Sequence, residues 1–290
     1  MGSGRWLPEF AGARGARACV RGVAESYHGR MGLSPSAVAA ASAAWVWVPE
    51  NAAVVETDDY LIMRLPEYYG YRLAVLAFRP SVALGAAVDG LLDRARLFGL
   101  PELRWQVGAA DPDGLAEQLT ARGGSVVLTL DVLASDLTEG LPAIRPAAVP
   151  VTTRWATDFA TARDGAAVAI TGFGGAIPPD ERIRENAARD ALTGPAGGGG
   201  MVVAYAGGAA AGSGGVTLAD GVARLWGGAV LPGARGQGIY RHVLATRLRY
   251  AAAHGATMAL VRGRTDTSGP ILRRAGFTAF GHETLYRVPL

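Results

Sequence analysis

The stretch Val230-Leu231-Pro232-Gly233-Ala234-Arg235-Gly236-Gln237-Gly238-Ile239 joins an apolar run that reads as a strand to a segment with helical spacing. Pro232 ends the strand because it has no N–H to give a ladder. The turn that follows holds Gly233, Gly236, Gly238 and one arginine. Glycine lets consecutive backbone N–H groups point at one spot, and the first turn of the helix adds unpaired amides and positive potential. Strand, Arg/Gly turn and helix in this order make a site for a pyrophosphate. The chain has 41 glycines, so a bare G-x-G such as Gly212-Ser213-Gly214 means nothing. The flanking elements give this one its weight.

Outward from the turn, the pattern alternates strands and helices. Upstream, a strand at Val151 to Trp155 leads into an Ala-rich helical segment and an expected loop at Gly172-Phe173-Gly174-Gly175. Pro178-Pro179-Asp180 opens a helix to Leu192, and the glycines from 197 to 200 read as a flexible connection. Strands are expected at Met201 to Tyr205, Ala210 to Leu218 and Val222 to Leu231. Downstream, Tyr240, Leu244, Leu248 and Ala251 share one face of a helix over Ile239 to His254. A strand at Met258 to Val261, a helix at Ser268 to Ala275 and a β-rich run from Thr278 to Val288 complete the half.

Thr138 to Pro150 contains Pro142, Pro146 and Pro150 without apolar periodicity, and reads as a linker. It divides the 290 residues nearly in half, in line with a prior of about 150 residues per domain. A spacing of 153 residues relates the halves. Leu73 to Phe78 matches Trp226 to Leu231, Gly85 falls on Gly238, Leu91 on Leu244, Arg94 on Arg247 and Arg96 on Arg249. Leu119 falls on Leu272, Gly123 on Gly276, and Ser125 to Leu133 mirrors Thr278 to Val288. The expected organisation is a first α/β unit over 1–137, a linker over 138–150 and a second unit over 151–290.

Composition narrows the chemistry. Half the residues are apolar and 18% are charged, enough for ordinary cores. One cysteine, Cys19, excludes a disulfide framework and any thiolate zinc site needing two. All 28 basic residues are arginine. The lack of lysine excludes a Walker A loop, a kinase lysine, a pyridoxal phosphate Schiff base and a Ser-Lys dyad. Residues 1–220 carry a net charge of −5 and residues 221–290 one of +8. An anionic partner is therefore expected at the C-terminal end, and without a nucleic-acid motif a phosphorylated small molecule fits better than DNA or RNA. No run of 18 strongly apolar residues occurs and no secretory leader is legible, so the expectation is no membrane span and a cytoplasmic protein.

Arg235-Gly236-Gln237-Gly238, followed by Ser268-Gly269-Pro270-Ile271-Leu272-Arg273-Arg274-Ala275-Gly276-Phe277, resembles the two signatures of the GNAT acetyltransferase superfamily over about residues 151–290. The resemblance implies an α/β (α+β) fold of two GNAT-like domains, each a mixed, mostly antiparallel sheet flanked by helices and splayed between its fourth and fifth strands. It implies acetyl-CoA as acyl donor without a metal. The pyrophosphate would lie on the amides of Arg235, Gly236, Gln237, Gly238, Ile239 and Tyr240, and the pantetheine beside the backbone of Ala229 and Val230. Ser268 would stand at the start of the short helix, where the family often has Asn. The sequence departs from the family at Tyr240, where Gly or Ala is usual, and at Leu272, where the family often has a tyrosine proton donor. In the first half Val82-Ala83 replaces Arg235-Gly236 and Pro80 enters the turn, so that half is expected to keep the fold, lose the pyrophosphate site and wall the acceptor cleft.

The implied reaction moves an acetyl group to an amine of a small molecule or peptide. No acid lies on Val222 to Val230, which leaves His282, Glu283 and Tyr286 as candidates for proton transfer, with the Leu290 carboxylate nearby. Tyr286 is the candidate replacement for the donor missing at Leu272. Two other classes stay open: a GNAT-fold enzyme that uses or cleaves another acyl-CoA, and a protein that holds CoA without turnover. Acceptor contacts are expected in Phe173 to Pro179 and Gly194 to Gly200. His28, His242, His254 and His282 lack ligand spacing, and Trp45 and Trp47 alternate as in a strand.

Overall fold

The computed structural model describes residues 33–194 and 196–290; Cys19 and His28 lie outside them. The first half contributes α1 (Pro35–Ala43), β1 (Ala53–Glu56), β2 (Tyr60–Arg64), β3 (Leu73–Phe78), α2 (Leu84–Arg96), β4 (Glu102–Val107), α3 (Leu115–Ala121) and β5 (Ser125–Asp136). The second contributes β6 (Val151–Trp155), α4 (Phe159–Phe173), α5 (Asp180–Thr193), β7 (Gly199–Ala206), β8 (Ala209–Ala219), β9 (Val222–Val230), α6 (Ile239–Ala253), β10 (Met258–Arg264), α7 (Ser268–Arg274) and β11 (Thr278–Pro289). Residues 137–150 hold neither helix nor strand.

Local chemistry accounts for the helix starts. Ser34 accepts the Ala37 N–H ahead of Pro35, and Asp158 accepts the Thr161 N–H ahead of α4. Asp180 and Glu181 place negative charge in the first turn of α5. Two expectations move. The expected loop at Gly172 begins only at Gly174, because α4 runs through Phe173. Trp45 and Trp47 lie in an irregular segment instead of a strand: the Trp45 ring packs under the Arg262 guanidinium at 4.9 Å, and Trp47 leans on Tyr69.

The described strands form one eleven-stranded sheet in the order β1-β2-β3-β4-β11-β5-β10-β9-β8-β7-β6. The two halves have exchanged strands. β11, from the end of the chain, runs antiparallel to β4 from Glu102 to Val107, and β5 runs antiparallel to β10 from Leu130 to Asp136. β5 and β11 pair with each other between them. Each half therefore lacks an inner strand until the other supplies it. Leu133 accordingly packs with Leu225, Leu244 and Leu272 of the second half, while Tyr286 and Val288 fill the first half's core with Trp105, Leu91 and Leu119.

The spacing between halves is not uniform. α3 and α7, and likewise β5 and β11, are offset by 153 residues. The buried set Val88, Leu91, Leu92 and Ala95 of α2 instead matches Leu244, Arg247, Leu248 and Ala251 of α6, an offset of 156. β4 and β10 start at the same offset. The difference is absorbed by the connection from β4 to α3, which is longer than that from β10 to α7. The Gly85/Gly238, Leu91/Leu244, Arg94/Arg247 and Arg96/Arg249 matches are thus three residues out of structural register. Arg94 is exposed where Arg247 is buried.

Alternation along β5 and β10 sorts the helices. Leu133, Ala259 and Val261 face the cluster with α6 and α7, whereas Val132, Ala134 and Leu260 face α1 on the other side. α4 lies on the α1 side, its Gly165 against Met201 and Val203 and its Gly172 against Ala229.

Candidate active site

β9 and β10 run parallel but pair only from Val222 to Leu225 against Met258 to Val261. Beyond that both continue and part, opening a gap between the fourth and fifth strands of the second half. A bulge marks the place. Ser213 pairs with Ala229 and Gly215 with Trp226, so β9 carries an extra residue there, with Gly227 at φ 62°. The Leu231 N–H is bound to the Ala211 carbonyl at 2.9 Å. Backbone alternation then turns Ala229 toward β8 and leaves Val230 and Gly228 facing the gap. Of the two residues expected there, only Val230 presents its backbone; Gly228 does so in place of Ala229.

At the mouth of the gap, Gly236 and Gly238 hold φ of 78° and 85°, conformations in which a side chain is strained. The N–H groups from Gly236 through Arg241 find no acceptor among the described residues. Six successive amides at a helix start form a concavity for an anion. The linker holds the turn in place: Ala148 N–H donates to the Gln237 carbonyl at 2.8 Å, and Arg241 donates to the carbonyls of Arg145 and Pro146. A Cβ at Gly238 would meet Ala147 Cα at 2.8 Å, whereas one at Gly236 would meet open space. Arg235 reaches back to the Val230 carbonyl at 3.3 Å and is exposed. Ser268 accepts the Arg264 N–H at 2.9 Å at the start of α7.

Tyr240 lies at the floor of the gap. A Cβ at Gly228 would come within 2.8 Å of its ring and 3.4 Å of its hydroxyl oxygen, so any larger residue there would have to displace the ring. Two turns along α6, Arg247 is 1% exposed and donates to the carbonyls of Gly215 and Trp226 at 3.1 and 3.3 Å. Burial pushes the Tyr240 phenol up, and the positive charge of Arg247 offsets part of that rise. Leu272 is fully buried against Gly263 of β10.

The candidates on β11 lie elsewhere. β5 and β10 separate β11 from β9, three steps of about 4.8 Å each. Tyr286 faces the first half's core opposite Trp105. The His282 ring is 62% exposed and sits 2.9 Å from the buried Asp131, which Arg273 also binds. Glu283 is buried on the opposite face, held by Ser42 at 2.7 Å, by Gln106 and by Arg262. The structure thus brings together the turn, Val230 and Tyr240, and leaves Tyr286 and His282 outside that group. Neither Gly228 nor Arg247 carried a sequence signal of its own; the i, i+7 spacing of Tyr240 and Arg247 on one helix face was the available hint.

The first half approaches the gap from the α4 side. Ala176 N–H donates to the Tyr68 carbonyl at 2.8 Å, and Gly175 packs on the Tyr68–Gly70 backbone. Glu50 bridges Arg182 and Arg189 of α5. Gly194 and Gly197, in a segment expected near an acceptor, lie instead by the far end of α6, where the Tyr250 hydroxyl donates to the Gly194 carbonyl and Gly197 abuts His254. Among the described residues no cluster of side chains suits a metal ion, and no helix is long and apolar enough to cross a membrane.

The profile of the acetyltransferase (GNAT) family matches residues 168–277, from within α4 to Phe277. No curated protein matches the sequence. Among solved structures, a GCN5-related N-acetyltransferase from Kribbella flavida is similar over 90% of this chain and 97% of its own, at 16% identity and a TM-score of 0.59. A GCN5-related N-acetyltransferase from Sphaerobacter thermophilus is similar over 79% of this chain and 76% of its own, at 18% identity and a TM-score of 0.58. A tandem GNAT protein from the clavulanic acid biosynthesis pathway covers 87% of this chain and 87% of its own, at 18% identity and a TM-score of 0.56. These three likenesses concern the fold, whereas the family profile includes the glycine turn itself. Residues 168–277 match a GNAT acetyltransferase domain, and that match together with the shared fold supports an acyltransferase enzyme.

Proposed function

We propose that the chain moves an acetyl group from acetyl-CoA to an amine of a small molecule or peptide, at one site in its second half. The observation that carries this reading is the run of six acceptor-free amides from Gly236 to Arg241 at the open end of the β9–β10 gap. A pyrophosphate there would take charge-assisted hydrogen bonds at a helix start. An extended arm leaving it would lie along Val230 and Gly228 as an added strand, which brings its thioester end to the bulge beside Trp226. Acyl-CoA supplies the activated carbonyl; the protein supplies position and exclusion of water.

The attacking amine must be neutral, and a primary amine with a pKa of about 10.4 is neutral in only about one molecule in 10³ at pH 7. Glu283 is already engaged by Ser42, Gln106 and Arg262, so an acceptor with a depressed pKa suits this site best. We assign the residues before the 138–150 linker to a unit that keeps the fold, carries no pyrophosphate site and walls the acceptor side through Glu50 and Tyr68–Gly70. The reading places the protein in the cytoplasm, with its acyl donor.

Calorimetry with acetyl-CoA is expected to give one site per chain. Gly236→Val needs a strained backbone and covers the amides, so affinity should fall at least about 30-fold, roughly 2 kcal/mol. Two equivalent sites, or undiminished binding by the variant, would sink the reading.

A further inference from the structure

We propose that Tyr240, positioned by Arg247, is the proton donor to the thiolate that leaves in the reaction proposed above; the inference rests on that reading of the gap. Three observations carry it. The Tyr240 hydroxyl end lies against Gly228, whose backbone faces the gap at the bulge where β9 and β10 part. An arm running along β9 from the amide turn can go no further than that point, because β10 closes the ladder at Leu225.

The second observation is Arg247 itself. It is fully buried on the α6 face, the same face as Tyr240, with the carbonyls of Val243, Gly215 and Trp226 as its hydrogen-bond acceptors and no carboxylate in contact among the described residues. A buried cation without a counter-charge is costly, and replacing such a group by an apolar residue is often neutral or stabilising. Packing alone does not call for it.

The third observation is the other half. At the offset that superposes the buried faces of α2 and α6, Tyr240 corresponds to Leu84 and Arg247 to Leu91. Leu91 is fully buried and Leu84 packs against the same core. One fold therefore fills these two positions with leucines where the turn has no glycine pair, and with a phenol and a guanidinium where it has one. The polar pair goes with the site and not with the architecture. Leu272 and Tyr286, the other places for a donor, are respectively apolar and in the other core.

In the step, the attacking nitrogen forms the C–N bond and the C–S bond breaks with its electron pair on sulfur. The Tyr240 O–H proton passes to that sulfur, and the proton released by the nitrogen returns to the phenolate oxygen. Burial keeps the phenol protonated through neutral pH, while Arg247 stabilises the phenolate when it forms. Among the described residues Arg247 is the charged group whose field reaches the phenol. Arg224 of β9 points to the other side of the sheet with Thr217, and Arg273 of α7 is bound to Asp131.

The test uses CoA and needs no acceptor. With the protein saturated, the bound thiol is titrated by its thiolate absorbance in the unaltered chain, in Tyr240→Phe and in Arg247→Leu. A phenol that donates to the sulfur favours the thiolate, so the thiol should titrate at least about one pH unit lower in the unaltered chain than in Tyr240→Phe. Arg247→Leu copies the first half's residue. It should melt no lower than the unaltered chain, bind CoA within about threefold, and shift the thiol in the same direction. Identical titrations in all three proteins would overturn the role of Tyr240 while leaving the CoA site intact. Failure of the unaltered chain to bind CoA would overturn the reading of the gap instead.

Discussion

The turn from β3 to α2 and the turn from β9 to α6 occupy the same place in the two halves and differ in almost every chemical detail. Both follow a strand that parts from its parallel neighbour: β3 pairs with β4 only at Ala74 and Val75. In the second half the turn leaves six amides free and two glycines in the left-handed region. In the first half the amides from Val82 to Ala86 are open too, but Pro80 has no amide and the Ser81 N–H is taken by the Asp59 carboxylate at 2.9 Å. An acid already sits where an anion would have to bind, and α2 starts at Leu84 behind Ala83 with no left-handed residue. The gap belongs to the fold. The site belongs to a few residues laid on it, a separation of fold from function that holds inside one chain.

The sharpest way to break this comparison is to separate the halves. Each contributes the strand that completes the other's sheet, and each core contains side chains from the other half's strand. Produced apart, residues 1–150 and 151–290 are expected to give no cooperative melt, and mixing them should restore one. A piece that melts alone close to the intact chain would make the exchange an embellishment of two self-sufficient domains.

A smaller effect sharpens the same point at one side chain. Tyr286 comes from the second half by sequence and packs in the first half's core at 8% exposure. Tyr286→Ala should cost about 3 kcal/mol in denaturant unfolding, the scale of a buried aromatic truncation, with acetyl-CoA affinity unchanged in the folded protein. Tyr286→Phe should change neither. A loss of CoA affinity in the phenylalanine variant would return Tyr286 to the gap, where its sequence position had suggested it.

The turn was legible because its signals are local: a proline that stops a strand, glycines that free amides, and a helix pattern that begins at Ile239. The ends of most second-half elements follow from such signals as well. The strand exchange was not legible, since β5 and β11 read as strands whichever neighbour they pair with, and pairing is decided by which core their alternate side chains enter. That is why Tyr286 and His282, adjacent to the signature in sequence, lie three strands from β9. The repeat misled by a similar route. Arg94 and Arg247 match by letter at 153, yet the apolar face of α2 superposes on α6 at 156, because a longer connection between β4 and α3 absorbs the difference. Arg247 thereby hid its correspondence with Leu91.

The weakest expected effect concerns how the helices begin. α2 and α6 both start without a side-chain cap, and in α6 that leaves amides open for a ligand. α4, which lies across the opposite face of β9, is capped instead. Asp158 accepts the Thr161 N–H at 2.9 Å and the Thr161 hydroxyl at 2.8 Å, and these hydrogen bonds, the backbone one first, hold its carboxyl below the usual aspartate value. Asp158→Ala should cost about 1 kcal/mol near neutral pH, as caps do. A carboxyl depressed in the folded state binds fewer protons there than in the unfolded chain, so its contribution is complete above the unfolded value of about 3.9. It is lost as pH falls from there through the lower folded value. The difference in unfolding free energy between Asp158→Ala and the unaltered chain should therefore be constant from neutral pH to about pH 5 and close below about pH 4. A difference that persists at the acid end would mean that the aspartate acts through something other than its charge, and a difference absent at neutral pH would make α4 as indifferent to its cap as α2.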